Sequence, residues 1–145
     1  MRFVVTGSND QAYYLIGALV AAGHKVTAIC EDLPRAQRFA EDYDIEVIHG
    51  DPTHDYVLDD VDFDGVGAFI ALMDDDADGL VACQSARILH GIARTICIVE
   101  NPRNVKLFEA LGVDEAVSGT YWLARAIEQG DDEATIGQMI GLHDE

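Results

Sequence analysis

The chain has 145 residues, is 49% hydrophobic, and carries a net charge of -18 from 27 acids against 9 Lys and Arg. That length suits one domain with a real core. No apolar run reaches the roughly 18 residues of a bilayer-spanning helix, and the absence of a basic patch disfavours sequence-independent binding to nucleic acid.

Asp outnumbers Glu 18 to 9, and Lys25 and Lys106 are the only lysines. Such an acid-rich, lysine-poor surface suits either a halophilic cytosol, where salt screens self-repulsion, or an acidic partner-binding face. The acids are spread along the whole chain rather than blocked, which favours the first. Cys30, Cys83 and Cys97 are odd in number, widely spaced and set among apolar residues, as expected of reduced thiols in a cytoplasmic protein. Met1 leads straight into a strand-like run without a basic n-region, so no signal peptide is expected.

From the N-terminus, Arg2–Thr6 reads as a strand and Asp10–Ala22 as a helix ending at Gly23. Lys25–Ile29 is the next strand, Leu33–Asp42 a helix, Ile45–His49 a strand and Tyr56–Asp60 a short helix. Strand Gly67–Leu72 precedes helix Asp78–Gly91, and strand Thr95–Val99 precedes helix Pro102–Leu111. Asn101 is the expected cap of that last helix, with Pro102 in its first turn and Gly112 after its end. Strand Glu115–Ser118 and helix Thr120–Gln129 complete the series. Strict alternation predicts an α/β fold, a Rossmann-like doubly wound parallel sheet with helices on both faces. Residues 1–129 form the expected domain; 130–145 is expected to be a short C-terminal amphipathic helix or tail.

The first strand–helix junction, VVTGSNDQA, occupies the place of a dinucleotide-binding glycine loop. The three glycine places read Gly7, Asn9 and Ala12. Gly7 serves the turn and Ala12 is an accepted small residue, but the Asn9 side chain would crowd a phosphate. Asp10 could cap the helix itself and so occupy the anion's place. The second strand ends at Cys30, with Glu31 and Asp32 following, so the usual ribose-binding acid is displaced by one residue or absent. Glu31 either reaches a ribose or is an ordinary surface charge.

Asp74, Asp75, Asp76 and Asp78 read as the acidic start of a helix rather than a cation loop. The histidines and cysteines have no zinc spacing, and no nucleophile has a base nearby, so no catalytic residue and no metal are expected. The segment Tyr13–Ala22 is apolar all round. Either it packs deeply on the sheet, with Gly17 and Ala18 allowing close approach, or a second subunit covers its outer side. Tyr121 and Trp122 are further candidates for a subunit contact.

These features occur in a recognisable order: GSNDQA, GHKVTAICED, HGDPTHDYVL, ALMDDDADGLVACQSAR, ENPRNVKLFEALGVDEAVS and TYWLARAIE. In combination they resemble the regulator-of-potassium-conductance (RCK) domain, also called the KTN or TrkA-N type, over about Arg2–Gln129. The resemblance implies a cytoplasmic regulatory, non-enzymatic module that senses NAD(H) or an adenine mononucleotide (ATP, ADP or AMP). It also implies a homodimer or higher homo-oligomer beside a membrane potassium transporter or channel subunit, without insertion into the membrane. By resemblance, ligand contacts fall on Gly7, Ser8, Asn9, Asp10, Gln11 and Ala12, on Cys30, Glu31 and Asp32, on Asp51 and Thr53, and on Met73 and Asp74. Thr53 would offer a hydroxyl to base or ribose, and Met73 apolar surface to a base.

Four positions depart from the family pattern: Asn9 for the second glycine, Cys30 for the strand-end acid, Gly79 for an asparagine and Ile98 for an arginine. All four weaken the case for an intact dinucleotide. They leave open a mononucleotide, another small ligand or a vestigial pocket. The alternative function is an N-terminal sensor or scaffold of a larger protein, for example one linked to a phosphoesterase.

Overall fold

A computed structural model describes residues 1–129; the segment expected at 130–145 lies outside the described residues. The elements are β1 (Arg2–Thr6), α1 (Asp10–Ala21), β2 (Lys25–Cys30), α2 (Leu33–Asp42), β3 (Glu46–His49), α3 (Asp55–Leu58), β4 (Val66–Ala71), α4 (Asp76–His90), β5 (Thr95–Ile98), α5 (Asn104–Ala110), β6 (Glu115–Val117) and α6 (Gly119–Glu128). Six strands form one sheet in the order β3-β2-β1-β4-β5-β6, with every pairing parallel. This is the doubly wound Rossmann-like order, with its reversal between β1 and β4.

Strand pleating sorts the apolar runs into two cores, because neighbouring side chains point to opposite faces. Val5, Ala28 and Ile70 face α1 and α2, where they meet Ile16 and Phe39. Val4, Ile29 and Phe69 face the other way, onto Leu58, Ala82 and Phe108 from α3, α4 and α5. Central strands buried on both faces explain why RFVVT, KVTAIC and VGAFIA read as nearly continuous apolar runs.

Several boundaries differ from expectation for identifiable reasons. Helix α5 starts at Asn104 rather than Pro102, because the Asn101 side chain closes a turn by accepting the Arg103 N–H at 3.0 Å. Helix α4 starts earlier than expected, because Asp75 caps it from the N–H groups of Ala77 and Asp78. It ends at Gly91, whose φ of +66° suits a left-handed cap.

The apolar helix α1 is not sunk all round into this chain. Ala12 and Ile16 are buried, but Tyr14 is 70% exposed, and Ala18 is exposed as well. The close approach at Gly17 is made by Tyr43, whose hydroxyl would lie 2.6 Å from an added Cβ. At the other end, α6 leaves Tyr121, Trp122, Leu123 and Ile127 exposed. Among the described residues no helix is long and apolar enough to cross a membrane.

Burial predicts where truncation matters. Phe69→Ala empties a fully buried site in the core beneath α3 and α4 and is expected to cost about 3–5 kcal/mol in urea unfolding. Ile88→Ala, at a side chain 76% exposed, is expected to stay within about 0.5 kcal/mol.

Candidate functional site

At the strand-order reversal, β1 leads to α1 on one face and β4 leads to α4 on the other. The two loops diverge and leave a crevice at the carboxyl ends of the strands, where open α/β sheets bind ligands. The crevice has two lobes of about 730 Å³ and about 320 Å³. The larger runs from Asn9, Asp10 and Gln11 past Ile98 to Gly119 and Thr120 at the start of α6. The smaller lies between Gly7 and Ser8, Glu31 and Asp32 at the end of β2, Pro52, and the start of α4. Asn9, Met73 and Asp74 line both lobes, so they mark the junction.

Asn9 holds that junction together. Its Oδ1 accepts the Ala12 N–H at 2.9 Å, capping α1. Its Nδ2 donates at 2.9 Å to both the Leu72 carbonyl oxygen and Asp74 Oδ1. The carboxamide therefore ties the β1–α1 loop to the β4–α4 loop. The cap expected at Asp10 is one residue earlier: the Asn9 backbone is extended, as a cap requires, and Asp10 is already the first helical residue. Gly7 allows the approach, since a Cβ there would strike the Leu72 carbonyl oxygen and its φ is +140°.

Asp10 turns outward to Arg35, whose Nη2 lies 2.6 Å from Asp10 Oδ1. The hydrogen bond from Arg35, then its charge, holds the Asp10 carboxyl below the usual carboxylate range. Arg35 Nε also donates to the Ser8 carbonyl oxygen at 2.8 Å, so one guanidinium clips α2 to the loop. Ser8 Oγ accepts the Asp32 N–H at 3.4 Å. Glu31 and Asp32 lie on the rim of the smaller lobe, and Gln11 on that of the larger.

Four expected contact residues do not line either lobe. Ala12 is fully buried in the core under α1. Cys30 is also fully buried, its Sγ donating to the Gly7 carbonyl oxygen at 3.4 Å. Desolvation pushes that thiol up to about 11, so it is a neutral core group rather than a stand-in for a ribose-binding acid. Asp51 and Thr53 satisfy each other: Asp51 Oδ1 accepts the Thr53 hydroxyl at 2.7 Å and its N–H at 2.9 Å. Desolvation raises Asp51, but the Thr53 bonds and the nearby His54 together outweigh it and hold the carboxyl low. In this closed turn the buried Pro52, not the Thr53 hydroxyl, backs the wall of the smaller lobe.

The acidic run divides into separate structural tasks. Asp74 receives Asn9, and Asp75 caps α4. Asp76 accepts the N–H groups of Glu100 and Asn101 and the Asn104 side chain, at 2.8–3.1 Å, anchoring the β5–α5 loop. Asp78 makes no such bond and faces the smaller lobe. Desolvation and the carboxylates of Asp75 and Asp51 hold it above the ordinary range. No group of three or more His, Cys, Asp or Glu side chains among the described residues could hold a metal.

Arg35 was invisible as a site residue because its partners come from a different loop. The one sequence signal is a base in the first turn of a helix that opens Leu33-Pro34, just past Glu31-Asp32. Pro52, Leu72, Glu100, Gly119 and Thr120 likewise line the lobes without themselves carrying a sequence signal that points to a ligand. Gly79, by contrast, is needed for packing: a Cβ there would lie 2.8 Å from Cys97 Sγ.

The geometry predicts a ranked set of losses in chemical unfolding. Asn9→Ala removes cap and tie together and is expected to cost about 1–2 kcal/mol, with Asn9→Gly costing less. Gly7→Ala forces the loop off Leu72 and is expected to cost about 3 kcal/mol or more.

A family model described as the TrkA-N domain matches residues 3–119. The Trk system potassium uptake protein TrkA homolog of Methanothermobacter thermautotrophicus is 27% identical over 142 residues, 98% of this chain and 65% of that protein. Among solved structures, the NAD(P)-binding domain of an exopolyphosphatase-related protein from Archaeoglobus fulgidus superposes with a TM-score of 0.77 at 23% identity, covering 88% of this chain and 95% of that one. The GsuK channel bound to NAD superposes with a TM-score of 0.75 at 23% identity, over 86% of this chain and 22% of that one. The same protein has also been solved bound to ADP. These structures share the fold, and the match of the family model over most of its length shows that the chain belongs to the TrkA-N domain family.

Proposed function

We propose that the chain is the nucleotide-sensing module of a potassium-uptake system, and that its crevice takes an adenine mononucleotide in preference to NAD(H). The observation that carries this reading is the position of the Asn9–Asp74 bond at the junction of the two lobes. A dinucleotide spanning both lobes would lay its pyrophosphate across that junction, against a carboxylate and a filled cap. A mononucleotide needs only one lobe. In the smaller one, Asp32 and Glu31 lie at the end of β2, where this fold places the ribose hydroxyls, and the half-buried Met73 offers apolar surface to the base.

Membership of the TrkA-N family and likeness to a TrkA homolog support the potassium link. The chain spans 65% of that homolog's length. The function is binding rather than turnover: ligand shifts the balance between conformations or subunit arrangements to the extent that it prefers one of them. The exposed apolar surfaces of α1 and α6, at Tyr14 and at Tyr121, Trp122 and Ile127, suit a cytoplasmic homo-oligomer beside a membrane transporter or channel subunit.

Thermal unfolding at about 1 M KCl, with AMP, ADP, ATP, NAD and NADH in turn, tests the reading. A mononucleotide at about 100 times its Kd is expected to add about 2.7 kcal/mol and raise Tm by several degrees. NAD is expected to give a smaller rise at equal concentration. A larger rise with NAD overturns the mononucleotide preference; no rise with any nucleotide overturns the sensor and leaves a vestigial pocket.

A further inference from the structure

We infer that nucleotide binding in this crevice strengthens as salt rises, so that the module reads nucleotide and ionic strength together. The inference rests on the nucleotide reading above and concerns the regulation of the same site.

The usual sources of positive potential are missing or spent. Among the described residues, no Lys, Arg or His lines either lobe. The segment 130–145 contains neither Lys nor Arg. Arg35, the base attached to the loop, is committed to Asp10 and to the Ser8 carbonyl. Three of the helix N-termini at the crevice already have side-chain caps, Asn9 on α1, Asp75 on α4 and Ser118 on α6, and the fourth, that of α2, opens with Pro34 and carries the Asp32 carboxylate. In their place stand seven carboxylates: Asp10, Asp74 and Glu100 on the larger lobe, Glu31, Asp32, Asp75 and Asp78 on the smaller. The upward shift of Asp78 by desolvation and by Asp75 and Asp51 reflects the same crowding of negative charge.

A phosphate entering such a crevice gains its base and ribose contacts against net repulsion. Ordinary phosphate sites set ligand against Lys and Arg, and salt weakens them. Here the sign reverses, because added ions screen repulsion rather than attraction. The Debye length falls from about 10 Å at 0.1 M to about 3 Å at 1 M, which spans the size of the crevice. Several unit charges at such separations make the expected gain on the order of tenfold in affinity. In a cell that accumulates potassium, occupancy of the module would rise with the salt it helps to import, which closes a feedback loop.

The test is calorimetric titration of the chain with AMP, ATP and uncharged adenosine across about 0.1–1 M KCl. AMP is expected to bind on the order of tenfold more tightly at the high end, ATP to gain more than AMP, and adenosine to change by about twofold or less. Choline chloride is expected to reproduce the effect, since screening does not require a coordinated ion. The double variant Asp78→Asn with Glu100→Gln is expected to flatten the AMP dependence; neither carboxylate makes a hydrogen bond in the fold, and both residues are exposed. Affinity for AMP that falls with salt overturns the inference and leaves the nucleotide reading standing. So does a gain with KCl that choline chloride does not share. Absence of binding by adenosine, AMP and ATP at every salt concentration overturns the nucleotide reading itself.

Discussion

The Asn9 carboxamide connects the two loops that bracket the strand-order reversal. One oxygen caps α1, and one nitrogen binds both the end of β4 and the first acid of the α4 run. A glycine at this place leaves the loop open for a pyrophosphate to lie against the backbone. An asparagine fills that space with two donors and an acceptor that find partners within the protein. The crevice then keeps its walls but loses its centre, and the two lobes become neighbours joined at Asn9, Met73 and Asp74.

The surrounding charges follow from the same arrangement. With Asn9 on the α1 N-terminus and Asp75 on the α4 N-terminus, the dipoles that draw anions into this fold are partly satisfied internally. Arg35 stabilises the loop rather than waiting for a ligand. Among the described residues, the acids that line the crevice are therefore paired with a base at Asp10 alone. On a chain of net charge -18, this makes ionic strength a variable of the site and not only of the surface.

Much of the fold was legible in the sequence because most strands are short apolar runs with a turn residue or cap near the end. Gly23, Gly91 and Gly112 all take positive φ where helices end. Boundaries moved where a side chain captured the backbone: Asn101 made a turn ahead of α5, and Asp75 started α4 early. These captures depend on geometry that spacing does not encode. The site was legible as a place but less so as a set of contacts. Asn9 stood out as a departure, yet its partners Leu72 and Asp74 lie more than sixty positions away along the chain. Cys30, Ala12, Asp51 and Thr53 occupy motif positions, but burial or mutual hydrogen bonding turns them away from the lobes. Arg35 carries no such signal in the sequence, because only the folded approach of α2 to the loop brings it there.

The central claim is that the Asn9 tie belongs to the working state of the crevice and persists when a ligand enters beside it. Side-chain amide NMR of Asn9, in the free protein and with saturating AMP, tests this most directly. The account predicts a resolved Asn9 amide pair, slow to exchange with solvent in both states and with the ligand's shifts superimposed. A pair that exchanges freely and sits at random-coil positions, or one that is released when AMP binds, would contradict it.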